Sequence, residues 1–375
     1  MAKRGENIYF RKDERYEGRC IKGRKDDGTI IYHYVYAKTF KECKQKLTQA
    51  KFLYFHHDVD CKIYGTGTVA EFMNYWINNI IESSVKMSTL SNYVNYNKKW
   101  ITPNIGKEKL YNLKEEQIQQ FINHLSKQGL SAGSIHNIYR TLNAALKKAK
   151  SYGYTKTNPC DGVILPENKQ KKTEILSLAK QKKLEAVCMQ SLVGLIVFLS
   201  LYTGLRVGEI CALKWSDIDF KNKTLSVTKT RQRIQYCGAR KGKSKTYVET
   251  GSAKSESSER IIPLPSFLLK RLQKHKKTTT NKKYVFTYRE KPLEPRVIQY
   301  RFKKLLEKSK LEKINFHALR HTFATRCMER NIDIKTISEL LGHSSAKITI
   351  DLYAHSRFEQ KQATMKNLQK LHLAS

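Results

Sequence analysis

The stretch Ser191–Gly204 most constrains how this chain can fold. Its sequence, SLVGLIVFLSLYTG, is apolar on almost every side of a helix. A helix of that kind is stable only when other protein surrounds it, and the run is too short to cross a membrane. It therefore predicts a buried helix inside a large domain, which we place at residues 175–375, with Gly204 closing the helix.

Arg206 follows this buried helix directly, in the first turn of a second helix predicted from LRVGEICALKW. Its guanidinium has donors and no acceptor, so it needs a carboxylate or a phosphate nearby. Glu209, three positions on, shares its helix face and can pair with it. Both roles are compatible, with Glu209 orienting an arginine that binds phosphate.

A cluster of histidine, arginine and tyrosine residues lies near the C-terminus. In HALRHTFATRCMER, His317 and Arg320 are three positions apart, so they share one face of a predicted helix. A second helix is predicted from DIKTISELLGH, with aspartate as its N-cap and glycine just past its end. His343 comes next, and Tyr353 follows ten positions later. These residues suit chemistry on an anion, although each could also be a surface residue.

Positive charge is in large excess throughout the chain. Lysine and arginine together number 71 against 33 aspartate and glutamate residues, a formal net charge of +38. An excess of this size points first to nucleic acid as the partner. A lysine-rich solvated surface, as in a ribosomal protein, is the alternative. A membrane is disfavoured, because the sequence has neither a long basic amphipathic helix nor an apolar run of transmembrane length.

The eight cysteines are scattered without a close-spaced pair. Zinc ribbons need such pairs, and disulfide frameworks belong to smaller secreted chains. The N-terminus, MAKRGENIYFRK, lacks the apolar core of a signal peptide. We therefore expect reduced thiols in a cytoplasmic protein, and no bound metal.

Residues 1–60 predict a small N-terminal domain of three strands and one helix. Two β-rich runs flank Asp27-Gly28, a strong hairpin signal, and the helix begins near Thr39. Basic and tyrosine side chains mix along the strands, which suits a sheet laid into a DNA groove. In the alternative, the tyrosines pack under the helix and the charges only keep the domain soluble. The basic candidates for DNA contact are Arg11, Arg19, Lys22 and Arg24, and the tyrosines are Tyr9, Tyr16, Tyr32 and Tyr34.

Residues 66–157 show the three- and four-residue spacing of apolar side chains that amphipathic helices have. Four helices are predicted here, the last two ended by Gly129 and Gly153, and a linker follows at residues 158–174. The unit offers little room for catalytic chemistry, so its polar side chains are candidates for DNA contact or plain surface. The basic ones are Lys98, Lys99 and Arg140.

The large domain adds predicted strands at Thr224–Arg233, from Arg260 onward, and at Tyr284–Phe286. A basic excursion, CGARKGKSKTYVETGS, separates the first two strands and is a candidate DNA-contacting element. Lys254 follows it in a turn-rich stretch, and the chain ends in a predicted amphipathic tail helix. The lysines of the excursion that we expect to contact DNA are Lys241 and Lys243.

Three motifs occur in order along the chain: TGLRVGEICAL, HALRHTFAT and LGHSSAKITIDLY. They are similar to the three sequence boxes of the tyrosine recombinases, the phage-type integrases, and the resemblance covers residues 68–375. The β-rich head resembles the arm-binding domain of phage and conjugative-transposon integrases. The resemblance implies a multidomain, mainly α fold with small β elements: an arm-binding head, a helical core-binding (SAM-like) domain and an α+β catalytic domain. The catalytic residues that it implies are Arg206, Lys254, His317, Arg320, His343 and Tyr353, with Glu209 behind them.

The chemistry implied by this resemblance is attack of Tyr353 on a DNA phosphodiester, which gives a 3′-phosphotyrosine and a free 5′-hydroxyl. Arg206 and Arg320 bind the non-bridging oxygens, where negative charge builds up in the transition state, and His343 donates to them. His317 takes the proton of the phenol, whose pKa near 10 makes a base necessary.

The same resemblance implies that Lys254 is the general acid that protonates the leaving 5′-oxygen. The strand that begins at Arg260 matches the pattern that follows the catalytic lysine in this family. Lys241, Lys243 and Lys245 could also reach the site. The tyrosine ester stores the energy of the broken bond, so the resemblance implies that neither ATP nor Mg²⁺ is needed.

The resemblance also implies partners and a setting. The partners are double-stranded DNA at core-type and arm-type sites, further copies of the chain in a homotetramer assembled through the tail helix, and an excision or directionality factor. The setting is the nucleoid in the cytoplasm of a bacterial host, and the task is integration and excision of a mobile element. A tail helix packed on its own protomer is the alternative to a tetramer contact.

Two rival functions remain open. One is a type IB topoisomerase-like enzyme, which relaxes DNA as a monomer by the same chemistry. The other is a catalytically silent, architectural DNA-binding protein. Strand exchange between two sites distinguishes a recombinase from the first, and a covalent adduct on nicked DNA distinguishes it from the second.

Overall fold

The computed structural model describes most of the chain outside the N-terminus and the tail. The described residues are 7–24, 29–54, 67–168, 174–189, 191–236, 246–252, 258–343, 345, 347, 349–350 and 365, without the side chains of 21–24, 48–49 and 51–54. The contacts divide the chain into two units, Met1–Lys169 and Gln170–Ser375. The boundary falls inside the segment predicted as a linker.

The N-terminal part of the first unit has the predicted three strands and one helix. Strands β1 (Ile8–Phe10), β2 (Tyr16–Arg24) and β3 (Ile30–Ala37) form an antiparallel sheet in that order, and α1 (Phe40–Tyr54) follows. The helix begins after Thr39, whose side-chain oxygen accepts a hydrogen bond from a first-turn amide. The predicted Asp27-Gly28 turn lies outside the described residues.

The two faces of this sheet differ in character. The face toward α1 forms a small core with Ile8, Cys20, Ala37, Cys43, Leu47 and Ala50. Tyr16 packs against that core, as the alternative interpretation predicts for all the tyrosines. Tyr32 and Tyr34, however, are 38% and 45% exposed, so they do not lie under the helix.

The second part of the first unit is helical, as predicted, but it has a fifth, short helix in addition to the four predicted ones. It comprises α2 (Val69–Tyr75), α3 (Met87–Tyr96), α4 (Thr102–Ile105), α5 (Glu115–Lys127) and α6 (Ala132–Ser151). Helices α2 and α3 each continue into a π-helical turn, at Trp76–Ile81 and Asn97–Ile101. Gly129 and Gly153 have left-handed backbone at the ends of α5 and α6, as predicted.

The first half of the predicted linker packs on these helices. Asn158 is buried and donates to Asn143 and Asp161 at 2.9 and 2.8 Å. Cys160 is fully buried, and its carbonyl accepts a hydrogen bond from the Tyr139 hydroxyl. The sequence predicted a linker here because the stretch is rich in proline and polar residues and has few apolar residues that could anchor it.

The second unit is built around the predicted buried helix. This helix, α8 (Leu192–Thr203), packs against α7 (Leu178–Cys188), α10 (Ser266–Thr278), α11 (Pro295–Lys308) and α12 (His317–Glu329). Nearly every residue of α8 is buried, in agreement with its apolar sequence.

Two short helices complete the helical layer, α9 (Val207–Ala212) and α13 (Ile334–Leu341). Gly204, between α8 and α9, has a φ of +67°, and a Cβ there would lie 2.7 Å from Leu341 and 2.8 Å from Phe323. Glycine is therefore needed both for the left-handed backbone and for the close approach of α12 and α13.

The strands of this unit form small, separate sheets. Strands β4 (Ile218–Asp219), β5 (Thr224–Val227) and β8 (Arg260–Pro263) make one sheet. A hairpin is formed by β6 (Lys229–Gln235) and β7 (Thr246–Ser252), and a shorter one by β9 (Thr287–Tyr288) and β10 (Lys291–Pro292).

Three sequence predictions about these elements were wrong in detail. The strand predicted at Thr224–Arg233 divides at Thr228 into β5 and β6, which belong to different sheets. The predicted Tyr284–Phe286 strand is reduced to an isolated bridge between Tyr284 and Lys214, and the strand that follows, β9, begins at Thr287. The helix predicted to reach the end of LRVGEICALKW stops earlier, with α9. None of the helices in the described parts of the chain combines the length and apolar character needed to span a bilayer.

Candidate active site

Arg206 lies at the turn between α8 and α9, where it is the N-cap of α9 rather than a first-turn residue. Its backbone amide donates to Glu209 Oε2 at 2.9 Å, and its Nη1 donates to Glu209 Oε1 at 2.8 Å. The pair predicted from the three-residue spacing is therefore present. The Arg206 side chain is 34% exposed, so part of the guanidinium remains open to a ligand.

The same guanidinium reaches the end of α13. Nη1 lies 3.4 Å from the Leu341 carbonyl oxygen, and Nη2 lies 3.3 Å from that of Gly342. Gly342 has left-handed backbone and ends the helix, as predicted. Arg206 is thereby held next to the turn that carries His343.

Arg320 is 2% exposed, which is unusual for an arginine. Its Nη1 donates to the carbonyl oxygen of Gly204 at 2.8 Å. This bond joins the first turn of α12 to the turn that carries Arg206. The two predicted phosphate-binding arginines, Arg206 and Arg320, thus lie at one junction of the fold.

His317 and His321 stand one turn apart at the start of α12, with ring centroids 4.6 Å from each other. Partial burial, followed by the positive charges near it, lowers the pKa of His317 to about 4. The pKa of His321 is also lowered, first by burial and then by Arg320. Both histidines are therefore neutral near pH 7. His317 is also exposed, so it remains open to a substrate.

His343 is oriented by Thr349, whose Oγ1 lies 2.8 Å from its Nδ1. Burial and then the charges of Arg320 and Arg206 lower the pKa of His343 to about 4. The ring is therefore neutral and carries one N–H. If the Thr349 hydroxyl donates to Nδ1, that N–H is on Nε2, where it can donate to a bound anion.

Arg260 is a residue of this region to which sequence reasoning assigned no role. Its side chain is 6% exposed and lies 2.9 Å from Glu209 Oε2 through Nη2. Its Nε donates to the Leu340 carbonyl oxygen at 2.7 Å. The signal in the sequence was the strand period: Arg260 and the buried Ile262 are two positions apart and so face the same side.

Glu209 is the buried carboxylate between these arginines. Burial alone would raise the pKa of Glu209, but hydrogen bonds from Arg260 and the charges of Arg260 and Arg206 outweigh it and hold the pKa below its ordinary value. Arg206, Arg260 and Arg320 supply three positive charges in this region, and Glu209 supplies one negative charge. The site therefore has a positive potential that favours an anion.

Several predicted residues fall where their side chains are not described. The residues outside the described part of the chain are Lys254, Tyr353, Lys241, Lys243 and the predicted tail helix apart from Met365. The side chains of Lys22 and Arg24 are also not described. Arg11, Arg19, Lys98, Lys99 and Arg140 are described, and all belong to the first unit. Arg11 pairs with Asp13 and Glu17, whereas Lys98, Lys99 and Arg140 are exposed.

Comparison with known proteins identifies the family. The model of the phage integrase family matches residues 169–360, a little over half of the 375 residues. The model of the phage integrase N-terminal SAM-like domain matches residues 68–126. The chain belongs to the phage integrase family, and it is a tyrosine-type site-specific DNA recombinase, as the three motifs predict.

Relatives extend the match to nearly the whole chain. A tyrosine recombinase XerC-like protein of Caldanaerobacter subterraneus subsp. tengcongensis is 29% identical, over 99% of this chain and 100% of its own length. The ICEBs1 integrase of Bacillus subtilis is 28% identical, over 76% of this chain and 78% of its own length.

Solved structures show the same fold. The Tn1549 transposon integrase in complex with a circular intermediate DNA matches with a TM-score of 0.69 and 22% identity, over 81% of this chain and 100% of that one. The lambda integrase tetramer bound to a Holliday junction matches with a TM-score of 0.59 and 22% identity, over 91% and 96%. The predicted multidomain, mainly helical fold of this family is confirmed.

The lowered histidine pKa values predict how stability depends on pH. Since the pKa of His317 and of His343 is about 4 when folded and about 6.5 when unfolded, the unfolded chain binds more protons between these values. Stability should be fully present above about pH 6.5 and should fall as pH drops toward 4. We expect the urea midpoint to decrease between pH 7 and pH 5, and to decrease less in His317→Gln. Equal decreases in both proteins would show that this histidine is not responsible.

The Thr349 contact predicts a defect that depends on one hydroxyl group. Thr349→Val keeps a similar shape but removes the hydroxyl that is hydrogen-bonded to His343 Nδ1, so the ring loses the partner that fixes its tautomer and orientation. We expect single-turnover DNA cleavage to slow about five- to tenfold, the value of one hydrogen bond. Thr349→Ser keeps the hydroxyl and should cleave at nearly the normal rate; a serine variant as slow as the valine variant would contradict this role.

Proposed function

We propose that this recombinase cleaves and rejoins DNA through a covalent 3′-phosphotyrosine formed by Tyr353, and that it inserts and excises a mobile element. The observation that carries the proposal is the convergence of Arg206, Arg320, His317 and His343. Their backbones come from three separate segments, yet their side chains share one positively charged region. A scissile phosphate is the natural ligand of such a region.

The arginines would bind the non-bridging oxygens of the phosphate. Arg206 is preorganised by Glu209 and by two carbonyl groups, while Arg320 is held by Gly204. Donors fixed before the reaction stabilise charge that develops in the transition state without reorganising. Partial exclusion of water strengthens each of these interactions.

The histidines would complete the proton transfers. Neutral His317 accepts the phenol proton of Tyr353 as the phenol oxygen attacks phosphorus, and neutral His343 donates from Nε2 to a non-bridging oxygen. Burial is the main cause that lowers the pKa of His317, and nearby positive charges contribute less. The negative phosphate opposes the contribution of the arginine charges, which favours uptake of the phenol proton by His317. The P–O5′ bond breaks, the 5′-oxygen takes a proton from Lys254, and rejoining reverses each transfer.

The proposed partners are duplex DNA and further copies of the chain. The solved relatives include a transposon integrase with circular intermediate DNA, a lambda integrase dimer on a core site and a lambda integrase tetramer on a Holliday junction. We extend this to core-type and arm-type sites, to a homotetramer joined by the tail, and to an excision factor. We also propose that the protein acts on the chromosome, and therefore on the nucleoid in the bacterial cytoplasm.

The exposed face of the N-terminal sheet supports arm-type binding. Arg19 lies over the rings of Tyr9 and Tyr32, 5.3 Å from each centroid. These contacts hold the guanidinium on the solvent-facing side of the sheet, where it can bind a phosphate or a base edge. The face combines a positioned cation with exposed aromatic rings, as a nucleic-acid surface requires.

Arg19→Ala should weaken binding to arm-type DNA and lower the salt dependence of that binding by about 0.9 in the log–log slope, the value of one phosphate contact. Arg15→Ala is the matched control, because Arg15 is exposed but already pairs with Asp13. Binding to core-type DNA should not change in either variant. Fluorescence anisotropy at several salt concentrations measures both the affinity and its salt dependence. An Arg19→Ala variant that binds arm-type DNA as tightly as the wild type would show that this face of the sheet does not bind the DNA.

A nicked duplex with a core-type site tests the function itself. The short 5′-hydroxyl product diffuses away, so a covalent protein–DNA adduct should accumulate and survive denaturation. Two intact sites on one plasmid should also give recombinant products. Relaxation without recombinants would indicate a topoisomerase, and binding without an adduct would indicate an architectural protein.

A further inference from the structure

Arg260, the first residue of β8, makes side-chain hydrogen bonds to several separate parts of the catalytic unit. Nη2 and Nη1 lie 2.9 and 3.3 Å from the two oxygens of Glu209. Nη1 also donates to the Ser258 carbonyl oxygen at 3.0 Å, and Nε donates to that of Leu340 at 2.7 Å. One buried guanidinium thus binds a carboxylate and two backbone carbonyls.

These partners belong to three segments of the candidate site. Glu209 is hydrogen-bonded to Arg206. Leu340 lies in the last turn of α13, just before His343, and Ser258 lies just after the stretch that contains Lys254. Leu340 is 80 positions from Arg260, and Glu209 is 51 positions away. Arg260 therefore links segments that the local sequence leaves independent.

Glu209 depends on Arg260 for its orientation. Oε1 accepts hydrogen bonds from Nη1 of both arginines, and Oε2 accepts from the Arg206 amide and from Arg260 Nη2. Without Arg260, half of these bonds are lost and the carboxylate can rotate. The Arg206 guanidinium would then lose its fixed direction.

Arg260 and Arg206 also cover the end of α13. The final carbonyls of a helix carry partial negative charge and repel an anion. Here Arg260 binds the Leu340 carbonyl, and Arg206 reaches those of Leu341 and Gly342. Both arginines thereby reduce the repulsion that a phosphate near His343 would meet.

Stability alone is a poor reason for this arrangement. A buried ion pair loses hydration energy that its Coulomb attraction often only balances, and apolar residues of similar size serve as well. We propose that Arg260 is a positioning residue for strand cleavage, which holds Glu209, Arg206 and the His343 turn in one register. The inference rests on the proposed phosphate-binding role of Arg206.

The test compares Arg260→Gln with Arg326→Gln. Arg326 is a matched control because it is also largely buried, and it binds Gln181 and the Leu176 carbonyl away from Glu209. Each protein is given the nicked substrate with either a normal scissile phosphate or a methylphosphonate, which lacks the negative charge that Arg206 would balance. Rates are measured in single turnover with protein in excess, at a temperature where circular dichroism shows every variant folded.

We expect Arg260→Gln to cleave the normal phosphate about 10- to 100-fold more slowly than the wild type, the effect of a misplaced catalytic group. DNA affinity should stay within about threefold. On the methylphosphonate the defect should shrink to about threefold or less, because a neutral phosphorus centre needs Arg206 less. Arg326→Gln should show the same ratio to wild type on both substrates.

Arg260→Lys provides the second variant, should Arg260→Gln not fold. Lysine keeps the charge but cannot bind Glu209 and Leu340 together, so we expect the same selective defect. The proposal is overturned if the Arg260 variants are slowed equally on both substrates, or if they cleave the normal phosphate at the wild-type rate. A wild-type protein that forms no adduct would instead refute the proposed function, so the two failures are distinguishable.

Discussion

Tyr353→Phe should form no covalent adduct with nicked DNA, while it binds that DNA with an affinity within about threefold of the wild type. The phenol oxygen is the atom that forms the bond to phosphorus, and phenylalanine has nothing to replace it. Removing a nucleophile of this kind typically costs on the order of 10⁴-fold or more in rate. Denaturing gels of end-labelled substrate measure the adduct, and gel shifts measure the affinity.

Tyr300→Phe is the control for this substitution, because Tyr300 is 63% exposed on α11 and has no role in the proposed mechanism. It should form the adduct at the normal rate. An adduct in Tyr353→Phe would mean that another residue is the nucleophile. Loss of DNA binding in Tyr353→Phe would mean that the tyrosine acts through structure and not through chemistry.

Glu209→Gln should destabilise the catalytic unit by about 3–5 kcal/mol, the usual result of removing one partner from a buried ion pair. Arg206 and Arg260 together direct four donors at this carboxylate. Glutamine offers one oxygen and one N–H₂ group, so some of these donors would meet another donor. Urea unfolding at pH 7 measures the loss.

Glu209→Gln should also slow DNA cleavage, because the Arg206 guanidinium would no longer be held in its orientation by the Glu209 carboxylate. Glu294→Gln is its control, because Glu294 pairs with Arg233 where both side chains are about one-third exposed, and it should cost less than about 1 kcal/mol. The pKa of Glu209 is lowered in the folded state, so its contribution is present at neutral pH and is lost in acid. A Glu209→Gln protein as stable as the wild type would show that the buried network carries no net ionic stabilisation.

Much of the helical architecture could be predicted from local sequence. Ser191 accepts a hydrogen bond from the Gly194 amide at the start of α8, and Asp333 accepts one from the Thr336 amide at the start of α13. Gly204 and Gly342 end these two helices with left-handed backbone. Caps of this kind involve residues within four positions of each other, so the sequence contains all the information that they need.

Strand boundaries were harder to predict. The residues from Thr224 to Arg233 read as one run, and the break at Thr228 separates β5 from β6 only because each finds a different neighbour. Their partners, β8 and β7, come later in the chain. Strand assignment depends on such distant pairing, which local patterns do not contain.

The sequence by itself determined the family, the candidate catalytic residues and the pairing of Arg206 with Glu209. Only the tertiary structure decided what else Arg206 contacts, since Leu341 and Gly342 are 135 and 136 positions away. It also revealed Arg260 as a third member of the network and the lowered pKa of His317 and His343. The physical reason is range: a cap or a three-residue pair forms within one helix turn, whereas burial and electrostatic potential are sums over every segment that packs around a side chain.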